Sequence, residues 1–322
     1  MAMENGTPAS VCETRGATTS RRHALALTLA AWRWLPGVLA AADAGAPVRV
    51  AISESLVADV NLNDARAAMM IWIKQMSADL NLVVEFNPRV FDPTEEILRR
   101  ARSGRVDCVA LNVVEYRQIA DVLDPNQVVT EAGAAGPEKY ILLAKQNSGI
   151  RRLGDLKGRR LCALKAPKMC VATAWLSTIL DQAHLGPSEQ FFGSVTTDTK
   201  ASRVVLPVFF GHADACLTSK RSFDTMCELN PQVAKDLTVI ASSPAMVVSF
   251  YVFRRNYHSA NRERFVNVLS RLRNTAAGRQ LATLFQFGEL TLRDAGCLAS
   301  ALSVLQTSER VGGRPGAGGR KG

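Results

Sequence analysis

Metal-binding and nucleophilic side chains are sparse in this chain. The 322 residues contain four histidines, and His184, His212 and His258 are too scattered to share a metal. None of the seven cysteines lies in a C-x-x-C pair, so zinc-site and dithiol readings lack their motif. G-x-S-x-G, H-E-x-x-H, P-loop and Gly-rich dinucleotide patterns are also missing, which removes the usual signatures of hydrolases, zinc proteases and nucleotide-dependent enzymes. Aromatic residues make up only 6% and do not interleave with lysines and arginines, so the basic balance does not read as a nucleic-acid surface. After the N-terminal leader no apolar run reaches the roughly 18 residues that span a bilayer.

What is present is enough for two packed cores. A chain of this length, 47% hydrophobic and 21% charged, buries a sizeable interior and is not disordered by composition. The formal net charge is +10, yet Arg310, Arg314, Arg320 and Lys321 belong to a Gly-rich tail with no acid after Glu309. The remaining body is moderately basic, which suits either a solvated surface or a small anionic ligand. Residues 1–44 read as an export signal: Ser20-Arg21-Arg22 precedes apolar Ala24–Trp32, and Ala42-x-Ala44 offers a small-residue cleavage site. The arginine pair resembles a twin-arginine leader, although His23 and Ala24 replace the usual bulkier residues and Arg33 interrupts the apolar core. A general secretory signal or an uncleaved anchor is the alternative.

From Val48 the chain alternates strand and helix. Val48–Ile52 predicts a strand, and Asn63 or Asp64 then caps a helix whose buried side is expected to carry Ala67, Met70, Ile71, Ile73 and Leu80. Leu82–Phe86 and Val106–Leu111 predict strands, with a helix starting at Asp92-Pro93 between them. The nearly continuous apolar character of the latter strand suits a parallel sheet covered on both faces. Gln127–Gly136 reads as a connection out of this first unit. A second unit opens at Lys139–Ala144 and continues through strands at Arg160–Leu164, Phe191–Val195 and Ala213–Thr218, with Lys200–Phe210 helical. Helix is also expected at Phe223–Asn230, stopped by Pro231. Leu237–Ala241 and Met246–Phe253 read as the return crossing, and helices follow from Asn261. Cys108, Cys162 and Cys216 sit in strand-like segments as small buried side chains, and Cys162 with Cys216 is a candidate disulfide in an oxidising compartment.

The segment Leu164–Ile179 contains the chemistry that stands out. A strand ends at Leu164, a short loop carries Lys165, Pro167 and Lys168, and a helix follows with Trp175 on its apolar side. Free N–H groups and the dipole at such a helix start favour an anion, and two lysines add positive charge.

Ile150–Gly158, with its Asp155-Leu156-Lys157-Gly158 ending, together with Gly104-Arg105-Val106-Asp107 and Gly211-His212-Ala213-Asp214-Ala215, resembles the periplasmic substrate-binding proteins of phosphate, phosphite and phosphonate ABC transporters. The resemblance covers about residues 47 to 290. It implies an α/β, two-lobed type II periplasmic binding protein fold with a ligand cleft between the lobes. Residues 45–136 would form the first part of lobe 1, 137–243 lobe 2, and 244–309 the return into lobe 1 and C-terminal helices, with 310–322 a disordered basic tail. It further implies a monomeric solute-binding protein in the periplasm, not an enzyme, with no cofactor, working with an ABC transporter permease. A membrane sensor on the same fold is the alternative partner, and no nucleic acid is expected.

Ligands in open α/β units sit beyond the carboxyl ends of strands. That selects Ser53, Glu54 and Ser55; Asn112, Glu115 and Tyr116; Lys165, Lys168, Met169 and Cys170; Thr196; Thr218; and Ser243 as candidate ligand contacts. Each has a simpler reading: Asn112 can cap its own helix, Ser53 and Glu54 can serve a turn, and the lysines can be solvated. Relatives that bind phosphonate usually carry a Ser-Thr-Ser-like run in the lobe-2 loop. Here Pro167, Lys168, Met169 and Cys170 stand in that place. Lysine and thioether suit a carboxylate or an organophosphorus compound with an apolar part. Cys170 beside Lys168 at a helix start is the one candidate nucleophile, without a histidine in sequence to assist it.

Overall fold

The computed structural model describes residues 47–80, 82–133 and 136–312. The expected export signal lies outside the described residues. The chain folds as two α/β lobes, each built on one sheet. The first stretch gives β1 (Val48–Ser53), α1 (Leu62–Leu80), β2 (Val84–Asp92), α2 (Thr94–Arg102), β3 (Cys108–Asn112), α3 (Val113–Ile119) and β4 (Gln127–Glu131). The chain then leaves for β5 (Tyr140–Lys145), β6 (Arg160–Leu164), α4 (Ala172–Gln182), α5 (Ser188–Phe191), β7 (Ser194–Asp198), α6 (Ala201–Phe209), β8 (Ala215–Ser219), α7 (Lys220–Leu229), α8 (Pro231–Asp236) and β9 (Leu237–Ser242). It returns through β10 (Ser249–Phe253), α9 (Ala260–Ser270), α10 (Ala276–Leu284), β11 (Leu290–Asp294) and α11 (Ala299–Gly312). The sheets are ordered β11-β4-β10-β3-β1-β2 and β7-β6-β8-β5-β9.

Both lobes use the same clasp at the entry of their central strands. In the first, the Asp107 carboxylate before β3 accepts the Arg49 backbone N–H at 3.1 Å and its guanidinium at 2.8 and 2.6 Å. In the second, Asp214 before β8 accepts the Arg160 N–H at 2.9 Å and its Nε at 3.0 Å. A charge-assisted bond to an N–H at the start of a strand sets the register of the neighbouring parallel strand. The arginine holds the Asp214 carboxyl below its usual range. The Gly-x-x-Asp steps in the sequence are therefore structural, and repeat once per lobe.

Several elements differ from their sequence reading. The α1 cap is Asn61, whose side chain accepts from the N–H groups of Asn63 and Asp64, because its oxygen reaches the free donors of the first turn. The buried side of α1 carries Ala65, Ala68, Met69 and Trp72, while Met70 and Ile71 are exposed. Both faces of this helix are apolar, so periodicity alone could not choose between them. Gln127–Gly136 is not all connection: β4 pairs with β10 and β11 inside the first sheet. Phe191 ends α5 rather than opening a strand, Pro231 begins a new helix as well as ending one, and β11 lies within the stretch expected to be helical. The C-terminal helix runs through Gly312, past the expected start of the tail at 310, and the rest of that tail lies outside the described residues. Cys162 and Cys216 face each other in register but both thiols are free, Cys162 lying 3.3 Å from Thr196 on the opposite side. No helix among the described residues is long and apolar enough to cross a membrane.

The lobes share interior. One apolar cluster contains Leu111, Val113 and Phe250 of the first lobe together with Leu142, Leu161, Trp175 and Met246. The closing helix α11 adds Leu298, Ala301, Val304 and Leu305 to the same cluster and lies against α4 and α3. The two crossings are tied to each other as an antiparallel bridge, Glu138 N–H to Met246 O at 2.7 Å and Met246 N–H to Glu138 O at 2.9 Å.

The orientation of α1 is open to test. Trp72→Ala should cost about 3–5 kcal/mol by urea denaturation, the range for removing a buried aromatic. Ile71→Ala on the exposed face should stay within about 0.5 kcal/mol. The reverse order would mean that α1 is turned the other way.

Candidate functional site

A cavity of about 140 Å³ lies where the lobes meet. Its first-lobe wall includes Ile52, Val57, Phe91, Val129, Phe285 and Phe287, and its second-lobe wall includes Leu164, Pro167, Met169 and Ser222. The lining is mostly apolar, with charge gathered at one place.

That place is formed by four side chains. Lys168, in the 3-10 turn Pro167–Met169, reaches across to pair with Glu131 at the end of β4. Its Nζ also donates to the Gln286 carbonyl at 2.9 Å and lies 3.8 Å from Glu138. Arg221, in the first turn of α7, donates to Glu131 Oε2 at 3.3 Å and to the same Gln286 carbonyl at 3.2 Å, and lies 3.1 Å from Glu138 Oε1. Both glutamates are buried. Burial pushes the Glu138 carboxyl up, with Arg221 and then Lys168 pulling against it and Glu131 adding to it.

Local structure holds this arrangement. Tyr140, fully buried, donates its hydroxyl to the Lys168 carbonyl at 2.8 Å and so sets the loop that presents the lysine. Glu131 also accepts the Gly288 N–H at 3.2 Å. A Cβ on Gly136 would lie 2.3 Å from the Glu131 carbonyl oxygen, so only glycine fits there. Gln286 has φ +50, a left-handed conformation uncommon outside glycine, which aims its carbonyl at both cations.

The candidates read from the sequence divide into three groups. Lys168 and Met169 line the cavity. Ser53, Ser55, Asn112 and Glu115 form a closed network at the ends of β1 and β3: Ser53 Oγ donates to Glu115 at 2.6 Å, Asn112 Nδ2 donates to Ser55 at 3.1 Å, and Asn112 with Glu115 makes a capping box on α3. Thr94 takes up Glu115 further, at 2.6 Å. The remaining candidates point elsewhere. Tyr116 is packed edge-on against Phe250, with ring centroids 5.3 Å apart. Thr218 is fully buried, and its hydroxyl finds no partner among the described residues. Ser243 accepts the Tyr140 N–H at 2.8 Å and ties the crossings together. Glu54, Lys165 and Thr196 are exposed. Cys170 is partly buried near the Val248 carbonyl, and burial pushes its thiol up to about 12, with Glu115 adding to the effect.

Arg221, Glu131, Glu138, Gln286 and the Phe285–Phe287 pair were not singled out from the sequence. Arg221 had a usable signal, since it follows a strand end by two residues. Glu131 was hidden because its strand reads as connection, and Gln286 because its loop follows a helix. Among the described residues no group of histidines, cysteines and carboxylates is placed to hold a metal ion.

The family model described as "ABC transporter, phosphonate, periplasmic substrate-binding protein" matches residues 56–294. No curated protein matches the chain by sequence. Among solved structures, a binding protein component of an ABC phosphonate transporter from Pseudomonas aeruginosa is similar at 15% identity and TM-score 0.54, covering 83% of this chain and 88% of its own. PhnD1 from Prochlorococcus marinus in complex with methylphosphonate is similar at 13% identity and TM-score 0.55, covering 82% and 98%. A Xanthomonas citri protein bound to ATP has 13% identity and TM-score 0.58, covering 83% and 98%. At these identities the structural likeness speaks to fold.

The state of Cys170 is measurable. In the folded protein at pH 8 iodoacetamide should leave Cys170 unmodified, because the thiolate is the reactive form and its ionisation is pushed up to about 12. In urea the same residue should label fully, as read by peptide mass spectrometry. Equal labelling rates in the two states would contradict the assignment.

Proposed function

The chain belongs to the family of periplasmic substrate-binding proteins of phosphonate ABC transporters, and from that premise we propose that its interlobe cavity captures a small organic acid with an apolar body. The family consists of binding proteins rather than enzymes, lies outside the cytoplasm and works with a transporter permease. The observation that carries the ligand reading is the convergence of Lys168 and Arg221, paired with Glu131, at the charged end of a mostly apolar cavity. In the proposed complex the acidic head meets these two cations, the guanidinium offering a planar pair of donors. The apolar part lies against Phe91, Met169, Phe285 and Phe287. Apolar walls with a few convergent polar groups are the usual form of a small-molecule site.

Entry requires the lobes to part, since Lys168 and Arg221 bind first-lobe groups across the cleft. Capture is then a shift between an open form and a closed form, with the closed form recognised by the permease. In this reading the Ser53, Ser55, Asn112 and Glu115 network shapes the first-lobe wall and does not touch the ligand. Residues 1–44 direct export, through the twin-arginine route that Ser20-Arg21-Arg22 suggests, and the mature protein acts as a monomer. The lobes divide near residues 136 and 244.

Thermal-shift measurements on the purified chain test the ligand reading. Butanesulfonate or pentanoate should raise the unfolding midpoint while butanol does not; ligand at a hundred times its Kd adds about 2.7 kcal/mol. Lys168→Ala and Arg221→Ala should each remove most of the shift. If no acid moves the midpoint, or if Lys168→Ala changes nothing, the reading is wrong.

A further inference from the structure

The cations of the cleft do not wait unpaired for a ligand. Lys168 and Arg221 are the basic residues on the cavity wall among the described residues, and three acids share that wall with them: Asp59, Glu131 and Glu138. Two of these acids are built in. The Glu131 carboxylate is held by Lys168, Arg221 and the Gly288 N–H, and Glu138 is fixed by its paired backbone at the crossing. Moving the Glu131 carboxylate away would break its bonds to Lys168, Arg221 and the Gly288 N–H, and moving that of Glu138 would part it from Arg221. The side chains of Glu131 and Glu138 are 8% and 3% exposed, so charge added beside them is poorly screened by water.

We propose, on the basis of the organic-acid reading above, that Glu131 and Glu138 are specificity-determining residues: the cleft accepts a head with one negative charge, such as a sulfonate or carboxylate, and excludes one with two, such as phosphate or a fully ionised phosphonate. Formally the wall carries two positive and three negative charges. A singly charged head adds one more, which the two donors of Arg221 and the ammonium of Lys168 can share with Glu131. A doubly charged head brings the wall and ligand to three net negative charges in a site where burial already works against the ionised form of Glu138. The selectivity is repulsive in origin, set by resident carboxylates that reject the wrong head rather than by an added contact to the right one.

Calorimetric titration of the full chain with butanesulfonate and butylphosphonate separates the cases, because the chains match and only the phosphonate gains a second charge as pH rises. Sulfonate affinity should stay level, and phosphonate affinity should fall by roughly tenfold or more on passing its second ionisation, about the effect of 1.4 kcal/mol. Glu131→Gln and Glu138→Gln, each confirmed as folded by circular dichroism, should narrow the sulfonate-to-phosphonate ratio at high pH by roughly tenfold. Doubly ionised phosphonate binding the native chain as tightly as sulfonate would overturn the inference. So would an unchanged ratio in both folded variants, with the organic-acid reading left standing. Failure of either acid to bind any of the three proteins would instead remove that reading and this inference with it.

Discussion

Everything about the cleft depends on one ionic contact across it, in which Lys168 and Arg221 of the second lobe grip Glu131 of the first. Opposite charges in a poorly hydrated site attract strongly, but each loses its hydration on the way in. Such a contact adds little net stability and a great deal of geometry. It fixes which loops of the two lobes face one another and aligns the Phe285–Phe287 segment, because the Gln286 carbonyl accepts from both cations. The left-handed backbone at Gln286 is tolerated because those bonds hold it.

Around that contact stand two lobes that each carry their own means of holding register. Each lobe has its own sheet and its own Asp–Arg clasp, Asp107 with Arg49 and Asp214 with Arg160, so the parallel strands of one lobe keep register whatever the other does. Besides the shared apolar cluster and the ion pairs of the cleft, the lobes are joined by the Glu138–Met246 crossing and by α11, which packs on α4 and α3 and carries Glu309 to its pair with Arg117. Placing Glu138 at the crossing means that a residue joining the lobes is also a charged wall of the cavity.

The candidate contacts read from strand ends show how far a local rule reaches. Asn112, Glu115, Ser53 and Ser55 do sit at strand ends, and they satisfy one another, since an Asn followed three residues later by Glu closes a capping box before any ligand is needed. Lys168 and Met169 line the cavity, and the same loop was marked by its charge and its place before a helix. Arg221, Glu131 and Gln286 come from segments 131, 221 and 286 that nothing in the linear order brings together. Helix α1 teaches the same lesson on the fold side: with apolar residues on both faces, the sequence pattern put Met70 and Ile71 on the buried side, where the structure instead buries Met69 and Trp72.

The alternation of apolar strands and capped helices, with a break near residue 136 and a return near 244, was legible by itself because strand period and helix period are local properties of the backbone, whereas the two-lobed fold was what the family resemblance implied. The reading of the Lys165–Lys168 loop as anion-receptive was equally local, resting on its two lysines and its place before a helix. Only the tertiary structure decided that Lys168 would be neutralised by Glu131, and that Glu138 would stand beside both. Charge pairing across a cleft depends on distances between residues far apart in the chain, and those distances exist only once the lobes have met.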